Sequence, residues 1–130
     1  MDIAKKLELT KSIIDKRYSD EMNTLYTSGD YQVKPAFAEK WQQAFNLAMD
    51  TVNSSTADSI RFKVLVYSSG NLTNVSLTRS QFSTLFNVVM EKYTKIETKY
   101  QAYQVEFESS PTSSRLDEII ASGEFFETQE

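Results

Sequence analysis

The stretch Ile60-Arg61-Phe62-Lys63-Val64-Leu65-Val66-Tyr67-Ser68-Ser69-Gly70-Asn71-Leu72-Thr73-Asn74-Val75-Ser76-Leu77-Thr78-Arg79-Ser80-Gln81-Phe82 passes from a period of two to a helical one. Up to Tyr67, the apolar residues Ile60, Phe62, Val64 and Val66 alternate with Arg61, Lys63, Leu65 and Tyr67, which predicts a strand over 60–67 with one well-buried face. Ser68-Ser69-Gly70-Asn71 is a turn, and residues 72–77 form a second strand pairing back antiparallel. Thr78, followed three residues later by Gln81, is a capping box: the hydroxyl accepts from an orphan helix N–H, and the Gln side chain accepts from the cap's own N–H. The helix it opens, over 79–107, is the longest in the chain. Its apolar positions Phe82, Phe86, Val89, Tyr93, Ile96, Tyr100, Tyr103 and Phe107 are spaced alternately by four and three, a heptad seam.

On the C-terminal side, Ser109-Ser110-Pro111-Thr112-Ser113 breaks this helix. Ser114 with Asp117 is expected to cap a short helix over 114–121 bearing Leu116, Ile119 and Ile120, which Gly123 ends before an acidic tail over 123–130. On the N-terminal side, Asn53 to Ser59 is a polar loop. Before it, Phe37, Trp41, Ala44, Phe45, Ala48, Met49 and Val52 recur at helical spacing behind Pro35, which predicts a helix over 35–53. Ile3, Leu7, Ile14, Tyr18, Met22 and Leu25 give an amphipathic helix over 2–27, with Ser28-Gly29-Asp30 as its stop and Tyr31 to Lys34 as a short extended piece. The expected architecture is a single α+β domain over residues 1–122, mostly helical: three main helices, a short C-terminal helix and one antiparallel β-hairpin. Two strands alone are marginal in water, so the hairpin must lie on the helices or join another sheet, which a partner chain would supply.

The chain has 130 residues, a formal net charge of −4, no His and no Cys. Without Cys there is no disulfide framework, thiolate ligand or thiol nucleophile, and without His the commonest general base and transition-metal ligand are missing. No HExxH, EF-hand loop, P-loop or GxGxxG occurs, no Ser-x-x-Lys occurs, and the carboxylates are scattered over expected solvated faces. The expectation is therefore no catalytic residue, no cofactor, no metal and no enzyme. An acidic balance repels phosphate, so no nucleic acid is expected as partner. The N-terminus shows no signal-peptide pattern, and the apolar run around Ile60 is interrupted by Arg61 and Lys63, so no membrane partner is expected either. The three N-x-S/T triplets, at Asn53, Asn71 and Asn74, read as turn chemistry.

What remains is contact. The seam has two readings, packing within the domain or association with a partner, and at about 40 Å the helix overshoots a core of this size. The expectation is a mixture, with the first half in the core and the half carrying Tyr93, Ile96, Tyr100, Tyr103 and Phe107 protruding or in an interface, where Tyr offers area with a polar tip. Arg61 and Lys63 share a strand face and read as a small basic patch or as charged protection of a sheet edge. The hairpin edge is a place for strand augmentation.

The order helix, Trp-bearing helix, hairpin, then Val75-Ser76-Leu77-Thr78-Arg79-Ser80-Gln81-Phe82-Ser83-Thr84-Leu85 and finally Pro111-Thr112-Ser113-Ser114-Arg115-Leu116-Asp117-Glu118-Ile119 resembles a small domain of bacteriophage tail-fibre and tail-fibre-assembly proteins. The resemblance runs over about residues 17–120. It departs from the family in its reduced front segment, Ser28-Gly29-Asp30, and in carrying Trp41 on a helix rather than a Trp on the hairpin. It implies a non-enzymatic phage structural or assembly protein, whose partners are other phage structural proteins or itself as a homo-oligomer. Its location would be the virion, or the host cytoplasm during assembly. The other expected role is a small acidic regulator that binds and blocks a host or phage protein.

Overall fold

The computed structural model describes residues 2–54 and 61–127. In chain order they form α1 (Ile3–Met22), β1 (Tyr26–Ser28), β2 (Tyr31–Val33), a 3-10 turn (Pro35–Phe37), α2 (Ala38–Ser54), β3 (Arg61–Ser68), β4 (Asn71–Thr78), α3 (Arg79–Glu108) and α4 (Ser113–Ser122). The class is mixed helix and sheet, but the sheet has four antiparallel strands in the order β1-β2-β3-β4, where one hairpin was expected. The expected loop over 55–59, the strand start at Ile60 and the last residues of the tail lie outside the described residues. The chain divides into two compact units, one contiguous, Asn23–Tyr93, and one built from Met1–Met22 with Thr94–Glu130.

The contiguous unit holds the sheet. The first helix was expected to run to residue 27, but it ends at Met22, and Tyr26-Thr27-Ser28 pairs with Tyr31-Gln32-Val33 instead. Gly29 has φ 61 and sits first in the two-residue turn, the place where a II′ hairpin needs a left-handed residue, so it turns a hairpin and does not cap a helix. β2 pairs with β3 at Gln32 and Tyr67. β3 and β4 then pair over eight consecutive positions from Arg61↔Thr78 to Ser68↔Asn71, without a bulge. Ser69 (φ 54) and Gly70 (φ 83) make the two-residue turn, both left-handed as a I′ turn demands.

Residues opposite one another share a sheet face, so Phe62 and Leu77, Val64 and Val75, and Val66 and Thr73 form one face. Val64, Val66 and Leu77 of that face are buried in a core with Val33, Ala38, Trp41, Phe82, Leu85 and Val89. Aromatic rings dominate it: Trp41 stacks on Phe82 at 6.0 Å, Phe45 on Phe86 at 4.1 Å, and Phe62 meets Phe82 at 5.3 Å. The capping box forms as read, Gln81 N–H donating to the Thr78 hydroxyl at 3.2 Å and Thr78 N–H to Gln81 Oε1 at 3.0 Å.

The second unit is helical. α1 and α4 are joined by Lys6, whose ammonium lies 3.0 Å from Asp117 and donates to the Ser113 hydroxyl at 2.7 Å. Further along, the Arg17 guanidinium donates to the Ile119 and Ile120 carbonyls at 2.9 and 3.1 Å, where α4 ends and its carbonyls lack helical partners. Ile14, Ile96, Tyr103, Phe107, Leu116, Ile119 and Phe125 are buried in this unit. The α4 cap is Thr112, whose hydroxyl accepts from Arg115 N–H at 3.1 Å, so the expected cap Ser114 already lies inside the helix. Gly123 ends α4 in the left-handed conformation, φ 70. Beyond it the acidic segment folds back as far as it is described, and Phe125 is only 2 % exposed.

Candidate interaction surface

The seam residues come first, because the half of α3 expected to protrude is covered by its own chain. Ile96, Tyr103 and Phe107 are buried, and Tyr93 packs against the core of the sheet unit. Tyr100 is half-buried, its ring tilted against Tyr18 with centroids 4.2 Å apart and its hydroxyl donating to Asp15 at 2.7 Å. That bond, with burial and the Asp15 and Glu97 charges behind it, pushes the Tyr100 phenol up to about 12. The Tyr18 hydroxyl in turn donates to Glu97. The covering groups are α1, α4 and Phe125, and the last of these sits in a segment that charge alone marks as a solvated tail.

That segment is clasped by Arg115. Its guanidinium donates to Glu106 and, at 2.9 Å, to Glu127, while the Tyr103 hydroxyl donates to the Phe125 carbonyl at 2.9 Å and to Glu127 at 3.1 Å. The bond from Arg115 holds the Glu127 carboxyl below the usual range, and burial with the facing carboxylate pushes the Tyr103 phenol well up. These groups are bonded chiefly to one another, Glu106 and Glu127 both accepting from Arg115 and Glu127 also from Tyr103. Among the described residues no group of carboxylates is gathered to hold a metal ion, and no helix is long and apolar enough to cross a membrane.

Among the described residues, the longest backbone edge left open at an end of the sheet is the outer edge of β4. Which of its backbone groups point outward follows from the turn. In a two-residue hairpin the closing pair, Ser68 and Asn71, exchanges both backbone bonds, and bonded and non-bonded pairs alternate from there. Val66 with Thr73, Val64 with Val75, and Phe62 with Leu77 are therefore bonded to each other. Leu72, Asn74, Ser76 and Thr78 turn their N–H and C=O groups away from β3. The cap confirms this parity from the other end, because the Thr78 N–H is outside the ladder and free to meet Gln81. Leu72, Asn74 and Ser76 are exposed, and Ser76 accepts only a 3.3 Å contact from the Arg61 side chain.

Natural sheets blunt such edges with charge, Pro, bulges or brevity. β4 reads Asn71-Leu72-Thr73-Asn74-Val75-Ser76-Leu77-Thr78 and has no charge, no Pro and no bulge over its eight residues. The other edge, β1, is three residues long. Arg61 and Lys63 are both exposed on β3, on the face shared with Leu72, Asn74 and Ser76. Beside them a cleft of about 220 Å³ opens between α2 and β3, floored by Trp41, Ala44 and Leu65, with Lys40, Lys63 and Asn74 at its polar lining. The site residues expected from sequence thus separate: Arg61 and Lys63 border the open edge, whereas Ile96, Tyr103 and Phe107 serve a core. Leu72, Asn74 and Ser76 are marked in the sequence only by the absence of charge from 71–78 beside a two-residue turn. No family model, no curated protein and no solved structure matches this chain.

Proposed function

We propose that this chain is a non-enzymatic bacteriophage structural or assembly protein that works by protein–protein contact, with β4 as its contact edge. The edge supports this reading most: eight uncharged residues in a continuous ladder, with the N–H and C=O groups of Leu72, Asn74 and Ser76 presented outward, form a template for one more strand. Main-chain bonds would supply the affinity of such a contact. Specificity would come from Leu72, Asn74, Arg61 and Lys63 on the face beside it. The phage setting comes from the resemblance of the segments over 75–85 and 111–119 to tail-fibre-associated domains. The first of these segments spans the end of β4, the capping box and the first turns of α3, and of the outward edge residues it includes Ser76.

Amide hydrogen exchange tests it. At a chain concentration low enough for the free protein to be monomeric, addition of candidate tail and tail-fibre proteins is expected to protect the amides of Leu72, Asn74 and Ser76, while those of Thr73 and Val75, already bonded to β3, change little. A bound complex in which the β4 amides exchange as in the free protein would overturn the assignment of the edge. Absence of any complex with those proteins would overturn the phage role.

A further inference from the structure

We infer that β4 pairs with β4 of a second copy of this chain, antiparallel about a two-fold axis through Asn74, so that two four-stranded sheets become one continuous sheet. This rests on the reading of β4 as the contact edge, and it names the occupant.

The register follows from which groups are open. Thr78 is withdrawn, its N–H taken by Gln81 and its chain continuing directly into α3. What remains is Leu72, Asn74 and Ser76, a set symmetric about its middle member. Turned by a two-fold axis at Asn74, Leu72 faces Ser76 of the second copy, Asn74 faces its own mate, and all three residues exchange both N–H···O=C bonds. Shifting the axis to Val75 would place Leu72 against Thr78 of the second copy and waste those groups. The Ser76 carbonyl has a second lone pair, so its contact with Arg61 survives the pairing.

Side chains fit the same register. On the inner face Thr73 comes opposite Val75 of the second copy. A row of β-branched residues then crosses the junction: Val66, Thr73, and Val75 and Val64 of the other chain. On the outer face the half-exposed Leu72 gains a neighbour. No charge is brought against a like charge, because β4 has none. Arg61 and Lys63 stand on β3, and three strand spacings of about 4.8 Å separate them from the other copy's β3, beyond the screening length of about 8 Å. The association also closes. A two-fold contact uses the same edge on both partners and leaves the three-residue β1 strands as the outermost described strands, too short to propagate a filament.

The chain has no Cys, so introduced thiols report the register directly. Thr73→Cys mixed with Val75→Cys should oxidise to a heterodimer about tenfold faster than either variant alone, since only the mixed pair brings Cα atoms to a bridgeable distance. Sedimentation equilibrium of the unmodified chain should show a reversible dimer, and Asn74→Pro, which removes an outward N–H that β3 does not use, should return it to monomer with an unchanged circular dichroism spectrum. A strict monomer at all concentrations would overturn self-pairing, as would equal cross-linking rates in all three samples. Either result leaves the edge reading to the exchange experiment with tail proteins. A dimer that persists in Asn74→Pro would overturn the role of β4 in it.

Discussion

Tyr103 on α3 meets Phe125 edge to face at 5.8 Å, and its hydroxyl donates to the carbonyl of that same residue at 2.9 Å. One aromatic side chain thus holds both the ring and the backbone of the segment after α4. Phe125→Ala is expected to cost about 3 kcal/mol, as for other buried Phe truncations, and Tyr103→Phe about 1 kcal/mol for one lost hydrogen bond. Urea unfolding of the two variants checks the order. Equal and negligible losses would mean that the segment contributes nothing to the helical unit.

The α4 cap separates two neighbouring hydroxyls. Thr112 accepts from Arg115 N–H, whereas Ser114 lies past the cap position. Thr112→Ala should lower stability by about 1 kcal/mol and Ser114→Ala by a few tenths at most, read from thermal unfolding. The reverse order would restore Ser114 as the cap.

Ser69 holds φ 54 in the β3–β4 turn with Gly70 after it at φ 83. Asn enters the left-handed region more readily than Ser, so Ser69→Asn should stabilise by about 0.5 kcal/mol, and Gly70→Ala should destabilise by about 1 kcal/mol. Chemical denaturation midpoints decide both signs.

The Arg115 clasp sets an acid dependence. Arg115 holds the Glu127 carboxyl lowered in the folded protein, so its contribution is complete above the usual glutamate range and is lost as pH falls through the lowered folded value. Glu127→Gln removes that dependence. Between about pH 6 and about pH 3 its melting temperature should fall less than that of the unchanged protein. Parallel curves would show that Glu127 titrates as though free.

Much of the fold is legible from residues alone where a long periodic run meets explicit punctuation. β3 and β4 combine alternation with Ser69-Gly70, and α3 announces its start through Thr78 and Gln81. The β1–β2 hairpin is not legible in the same way. Three-residue strands are too short to show a period, and Leu25 falls in step with the helix before it, although it is 40 % exposed and beyond the helix end. Phe125 hides for a different reason: its neighbours are acidic, and the ring is buried by Tyr103 from 22 positions earlier, a pairing no local pattern encodes. The open edge is half legible. An uncharged strand can be seen in sequence, but its outward groups emerge only when the turn fixes the parity of the ladder.

The helical unit is made from both arms of the chain with the whole of Asn23–Tyr93 between them. During synthesis, therefore, α1 leaves the ribosome long before Leu116, Ile119 and Phe125, buried in the same unit as Ile14, exist, while the intervening unit emerges as one uninterrupted stretch. The sheet unit is thus complete in the nascent chain before the helical one, and the apolar stripe of α1 stays bare until α4 and Phe125 have been made.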